Sequence, residues 1–165
     1  LDGTKEFISG TDEFTVNIAL VENGSPILGA LHAPALDECY LADGSGAFLI
    51  AKDGHKNPIR ARALPPDGAV VVASRNHRDA ATDEFIARHQ TSRITSAGSA
   101  LKFGLLAKGD ADLYPRFGRT MEWDTAAGHA VLTAAGGSVK RMDGTVLRYG
   151  KEGLDNPAFV ARGIE

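Results

Sequence analysis

Two aspartates far apart in the chain, Asp2 and Asp124, each stand where a carboxylate could serve a hard cation. Asp2 opens the turn sequence Asp2-Gly3-Thr4. There glycine lets backbone approach closely, the Gly3 and Thr4 amides can point at one anion, and the Thr4 hydroxyl can orient a water. The tripeptide alone is a weak signal, because Asp143-Gly144-Thr145 repeats it and reads as a plain hairpin turn. Asp124 lies in Trp123-Asp124-Thr125-Ala126-Ala127-Gly128, at the expected start of a helix. A helix cap accounts for a carboxylate there, since free amides and the dipole favour one. The chemical alternative is a metal carboxylate held rigid by the helix, with Trp123 packed beneath it. The small Ala126, Ala127 and Gly128 would let that helix sit close to its neighbours.

Cationic and polar groups gather at other element ends. Gly98-Ser99-Ala100-Leu101-Lys102 reads as a glycine-led helix start, a ready anion site, with Lys102 one turn inside. Ser74-Arg75-Asn76-His77 and Tyr114-Pro115-Arg116 each follow a strand, and loops at strand ends are common ligand sites in α/β folds. Arg116 could grip a phosphate through two parallel hydrogen bonds. His32, His55, His89 and His129 show no partner pattern.

The elements that must position these groups follow from periodicity. Phe14–Val21 alternates as a strand, Asn23-Gly24 supplies a tight hairpin turn, and Ser25–Ala33 returns until Pro34. Cys39–Leu41 and Ala47–Ala51 make two more strands joined through Asp43-Gly44-Ser45-Gly46, and Asp53-Gly54 marks the next turn. Leu64-Pro65-Pro66-Asp67-Gly68 disfavours any regular element and divides the chain into residues 1–66 and 67–165. Beyond it strands are expected at Ala69–Ala73, Thr91–Ser96, Asp112–Tyr114 and Ala158–Ala161, with a hairpin of Ser138–Met142 and Thr145–Tyr149. Helices are expected at Ala80–His89, from Gly98 to Ala107, and at Thr125–Ala135, the last stopped by Gly136-Gly137. The class is α/β, mainly antiparallel at first and mixed afterwards.

Composition sets outer bounds. With 165 residues, 43% hydrophobic and 24% charged, the chain is long enough for a substantial core. A net charge of −3 gives no reason to expect binding to a nucleic acid polymer, though a local site for a small anion remains open. The single Cys39 excludes an internal disulfide and suits a reducing compartment. No apolar run approaches the roughly 20 residues needed to span a bilayer. The chain starts at Leu1 without Met and without a signal-peptide pattern, so it reads as one whose natural beginning is missing.

Taken together, the motifs resemble a known family. Leu1-Asp2-Gly3-Thr4 is similar to the latter part of the Asp-Pro-x-Asp-Gly-Thr motif of the inositol monophosphatase superfamily, and Trp123–Gly128 to its Trp-Asp-x-Ala-x-Gly signature. Within it, Leu1–Phe7, Phe14–Leu20, Gly98–Phe103 and Leu113–Gly118 resemble CysQ-type 3'(2'),5'-bisphosphate nucleotidases. The resemblance implies a layered αβαβα sandwich, here without its N-terminal elements. It implies removal of the 3'-phosphate of adenosine 3',5'-bisphosphate by water activated by Mg²⁺, with two or three ions in such two-metal-type sites. Carried over, Asp2, Asp124 and the Leu1 carbonyl would be metal ligands, and Asp2, Thr4 and Asp124 the catalytic set. Gly3 and Thr4 would hold the scissile phosphate, and Ser74, His77, Gly98, Lys102, Arg116 and Asp124 would contact substrate. The family's leading Asp-Pro, its Glu-Glu motif and a further acidic residue would all precede Leu1. An inositol or sugar phosphatase, and a fragment that binds nucleotide or metal without turnover, are the alternatives. The resemblance also implies a cytoplasmic protein, with peripheral attachment to the inner membrane left open. A monomer and a homodimer remain equally open.

Overall fold

The computed structural model describes residues 1–75 and 78–165. A short helix, α1 (Thr4–Ser9), precedes an antiparallel meander of β1 (Val16–Glu22), β2 (Ser25–Ala33), β3 (Glu38–Ala42), β4 (Ala47–Ile50) and β5 (Lys56–Ile59). The first hairpin closes where expected, with Asn23 and Gly24 at φ 49° and 74° and Glu22 paired to Ser25. The chain continues through β6 (Ala69–Ser74), α2 (Ala80–Ala87), β7 (Thr91–Ala97), α3 (Leu101–Ala107) and β8 (Leu113–Arg116). It ends with β9 (Thr120–Met121), α4 (Glu122–Ala134), β10 (Ser138–Arg141), β11 (Asp155–Asn156) and β12 (Phe159–Arg162). The second sheet runs β10-β12-β8-β6-β7, with β6 parallel to β7 and β8, and β12 antiparallel to both of its neighbours. The α/β class and the antiparallel-then-mixed order are as the sequence indicates.

The layers follow from where large and small residues lie. Helices α3 and α4 pack between the two sheets, and one core runs through Leu31, Tyr40, Val72, Phe103, Leu132 and Phe159. On the far side of the second sheet, α2 covers Ala69, Val71, Leu113 and Val160 with Phe85 and Ile86. Close approach of α4 depends on small residues, as expected of Ala126–Gly128: a Cβ on Gly128 would stand 2.4 Å from Phe103. The strand facing α4 is equally small there, with Ala19 paired to Gly29. The large members of β1 therefore point to the opposite face, where Val16, Ile18 and Leu20 are exposed.

Several elements differ from expectation for identifiable reasons. Residues Thr4–Ser9 form a helix after the Gly3 turn, where only a turn was expected. β5 contains Pro58 and sits at the sheet edge, which is where a strand tolerates proline and where sequence patterning hides it. Thr145–Tyr149 is no strand: after one bridge between Lys140 and Val146 the chain turns Leu147 into the core. Tyr149 then bonds its amide to the Gly24 carbonyl at 3.1 Å. Helix α3 begins at Leu101, because Ser99 has φ 44° and cannot continue a helix from Gly98. Helix α4 begins three residues early, at Glu122.

Candidate active site

Asp2 is fixed by its own backbone, which exchanges hydrogen bonds of 2.8 and 2.9 Å with the buried Thr15 just before β1. Gly3 then takes φ 90°, a left-handed conformation suited to glycine, and a Cβ there would lie 3.1 Å from Ser99 Cβ. The Gly3 carbonyl accepts the Phe7 amide at 2.9 Å and starts α1, leaving Thr4 on the first turn.

Asp124 reaches the same place from 122 residues further along the chain. It is the third residue of α4, and its Oδ2 accepts the Met121 amide at 2.8 Å. It thus caps the helix from inside the first turn, not from the position before it. Trp123 is 59% exposed and does not pack beneath Asp124.

Asp2 and Asp124 line one cavity of about 400 Å³ together with Leu1, Gly3, Thr4, Ser74, Lys102 and Arg116. Burial raises the Asp2 pKa above its ordinary value, and the Asp124 carboxylate raises it further. Lys102 and the amides of Ala100 and Gly3 act in the opposite direction. Lys102 is buried, donating to the carbonyls of Ala97 at 3.2 Å and Ser99 at 2.5 Å. Burial pushes its ammonium down to about 8, against the pull of Asp2. Arg116, also buried, donates to the Arg119 carbonyl at 3.1 Å.

The remaining candidates fall differently. His77 lies outside the described residues. Gly98 does not line the cavity, and its amide donates at 2.8 Å to the Glu13 carboxylate, whose other oxygen holds Arg75 at 2.8 Å. Ser99 lines the cavity in its place and donates to the Glu13 carbonyl at 2.7 Å. Sequence reasoning passed over Ser99, Phe103, Tyr114, Arg119, Thr120 and Thr125 as cavity residues. Thr125 was findable, standing next to Asp124; Glu13, 85 residues from Gly98, carried no local signal.

Among the described residues no group of three or more His, Cys, Asp or Glu is placed to hold a metal ion. Two adjacent carboxylates nevertheless fit Mg²⁺, which keeps several waters and commonly takes only one or two carboxylates plus substrate phosphate. Burial lifts the Asp2 pKa most, and the added repulsion from Asp124 is what a hard dication would relieve. Lys102 and Arg116, lining the same cavity, suit an anionic ester.

Residues 1–162 match the inositol monophosphatase family, and this chain belongs to it. It is 48% identical over 161 residues to the 3'(2'),5'-bisphosphate nucleotidase CysQ of Escherichia coli strain K12, covering 96% of this chain and 64% of that protein. A crystal structure of CysQ from Bacteroides thetaiotaomicron superposes with a TM-score of 0.90 at 40% identity, covering all of this chain and 68% of that one. An inositol monophosphatase from Zymomonas mobilis, at 24% identity and a TM-score of 0.83, shares the fold. The chain thus spans about two thirds of the length of such relatives. Among the described residues no helix is long and apolar enough to cross a membrane.

Proposed function

We propose that this chain carries the substrate pocket and part of the metal site of a Mg²⁺-dependent phosphomonoesterase that removes the 3'-phosphate of adenosine 3',5'-bisphosphate. The observation that carries this reading is the meeting of Asp2 and Asp124 in one cavity that Lys102 and Arg116 also line. The names of the relatives at 48% and 40% identity support the substrate.

In this reading Asp2, Asp124 and the Leu1 carbonyl hold magnesium. When bound, the metal supplies positive charge that activates the attacking water and offsets charge on the phosphate. The amides of Gly3 and Thr4 seat the scissile phosphate, and the Thr4 hydroxyl orients the water. Ser74, Lys102 and Arg116 take the rest of the nucleotide, with the Arg116 fork suited to the phosphate that is not cleaved. Ser99 replaces Gly98 as the nearer contact, because Glu13 occupies the Gly98 amide.

The test is phosphate release from adenosine 3',5'-bisphosphate and from inositol 1-phosphate, each with Mg²⁺ and with a chelator. Mg²⁺-dependent preference for the nucleotide is expected. Preference for the inositol ester would move the assignment to an inositol phosphatase. Binding of nucleotide without release of phosphate would leave a non-catalytic module.

A further inference from the structure

Next to the cavity lies a buried polar network that the roles above do not use. Its centre is Asn156, in the two-residue strand β11, which pairs with β9 immediately before α4. Asn156 is 7% exposed. Its Nδ2 meets the Met121 carbonyl at 2.8 Å, Thr125 Oγ1 at 3.0 Å and Thr120 Oγ1 at 3.2 Å. A carbonyl can only accept, so the amide nitrogen must face Met121. Met121 also donates its own N–H to the Asp124 carboxylate. Asn156 therefore anchors, through its carbonyl, the residue whose amide holds Asp124.

A second arm approaches from Tyr149. Its hydroxyl donates to Thr125 Oγ1 at 3.2 Å and stands 3.0 Å from His129 Nδ1. With the tyrosine proton directed to Thr125, the imidazole donates from Nδ1, and the chain of bonds has one polarity. Thr125 passes it on to the Glu122 carbonyl at 3.3 Å. Glu122 is itself clamped by the amides of Gly150 at 2.8 Å and Lys151 at 3.0 Å. The first turn of α4 is thus fixed from two directions, in addition to the cap that Asp124 gives the Met121 amide.

We propose that Asn156, with Tyr149 acting through Thr125, is a positioning residue that sets the Asp124 carboxylate toward Asp2 for binding of a divalent cation. This rests on the reading of Asp124 as a metal carboxylate. Groups that orient metal ligands commonly carry a 10–100-fold effect on affinity.

The probe is Mn²⁺ alone, titrated by electron paramagnetic resonance into wild type, Asn156→Leu, Tyr149→Phe and Val139→Ala. Leucine nearly matches asparagine in shape but lacks the donors, and Val139 is a buried core residue that does not line the cavity. Asn156→Leu is expected to weaken Mn²⁺ by at least about tenfold, and Tyr149→Phe by a smaller factor. Val139→Ala should lower the melting temperature yet leave Mn²⁺ affinity within about twofold of wild type. In turnover, added Mn²⁺ should restore much of the Asn156→Leu rate with little change in KM for the ester. Unchanged Mn²⁺ affinity in Asn156→Leu, or an equal loss in Val139→Ala, overturns the proposal and leaves the metal site standing. A wild type that binds no Mn²⁺ overturns both.

Discussion

Gly29 in β2 lies so close to Ala127 in α4 that a Cβ added to it would stand 2.6 Å from the Ala127 carbonyl oxygen and 2.9 Å from the Ala130 Cβ. Neither neighbour is the end of a flexible chain, so strand and helix would have to separate. Separation would disturb the helix that carries Asp124. Gly29→Ala is expected to destabilise by about 1–3 kcal/mol, as overpacking does. The melting temperature should fall by several degrees, and Mg²⁺ should be needed at higher concentration for the same rate. An unchanged melting curve would show that the interface has slack.

Burial first, and then repulsion from the Asp124 carboxylate, make Asp2 a source of instability without metal. Its folded pKa is raised, so its contribution is most favourable below the unfolded value and is lost as pH rises through the folded one. At pH 7 in chelator, Asp2→Asn should therefore melt above wild type. Adding Mg²⁺ should reverse the order. A ligand at about 100 times its dissociation constant adds about 2.7 kcal/mol to wild type, and the variant, lacking a carboxylate, should gain little. Phosphate release by Asp2→Asn or Asp124→Asn is expected to drop by about 10²–10³-fold. Scanning calorimetry with and without metal checks the first part, and a Mg²⁺-independent melting temperature in wild type would contradict it.

Lys102 gives the pocket a pH limit. Buried, its ammonium titrates near 8, so its charge is present at neutral pH and falls away above that. If it holds substrate anion, KM for the bisphosphate should rise about fiftyfold between pH 8 and pH 10, following the protonated fraction from about one half to about one hundredth. Lys102→Met, uncharged but comparable in length, should have a high KM that varies little across that range. Parallel profiles for the two proteins would remove Lys102 from substrate binding.

How far the sequence carries depends on whether a feature is local. Asp2, Gly3, Thr4 and Asp124 are legible because residue type and neighbours declare a turn and a helix start, and the fold brings them to one cavity. The β1–β2 hairpin is legible for the same reason, since Asn-Gly fixes its turn. What escapes is set by distant partners. Glu13 takes the Gly98 amide across 85 residues, and β5 is a strand only because β4 offers it an edge. Asn156 reads as the residue before a proline, and its hold on Met121 exists only in the folded chain. Trp123 follows a different rule: its place is given by helix phase, which sets it outward beside Asp124.

The outward face of β1 offers a further check. Ile18 and Leu20 are 68% and 52% exposed, with Val16 and Leu28 beside them. Contiguous apolar surface of this kind marks a contact site or an aggregation hazard. Ile18→Thr with Leu20→Thr keeps strand preference while removing apolar area. The double variant should bind less of a hydrophobic dye and self-associate less in sedimentation, with stability changed by only about 0.5 kcal/mol per site. Equal dye binding before and after would mean this face is not accessible to solvent in the molecule tested.

His129 supplies the acid limit of the fold. It is 4% exposed on α4, bonded to Tyr149, and burial lowers its pKa from 6.5 to about 4. Above pH 6.5 the imidazole is neutral in folded and unfolded chains, and its contribution is constant. As pH falls from 6.5 toward 4, the unfolded chain takes a proton that the native one refuses, so stability drops. The full loss is about 3 kcal/mol by the time pH passes the folded value. Carboxylates titrate in the same interval, so the informative quantity is the difference between wild type and His129→Gln. Urea unfolding at pH 7, 5.5 and 4.5 should show glutamine costing stability at pH 7 and the gap closing as pH falls. Curves that stay parallel would mean that His129 is protonated in the native protein. The tyrosine hydroxyl would then still accept from an imidazolium, so the network would persist while the acid sensitivity came from elsewhere.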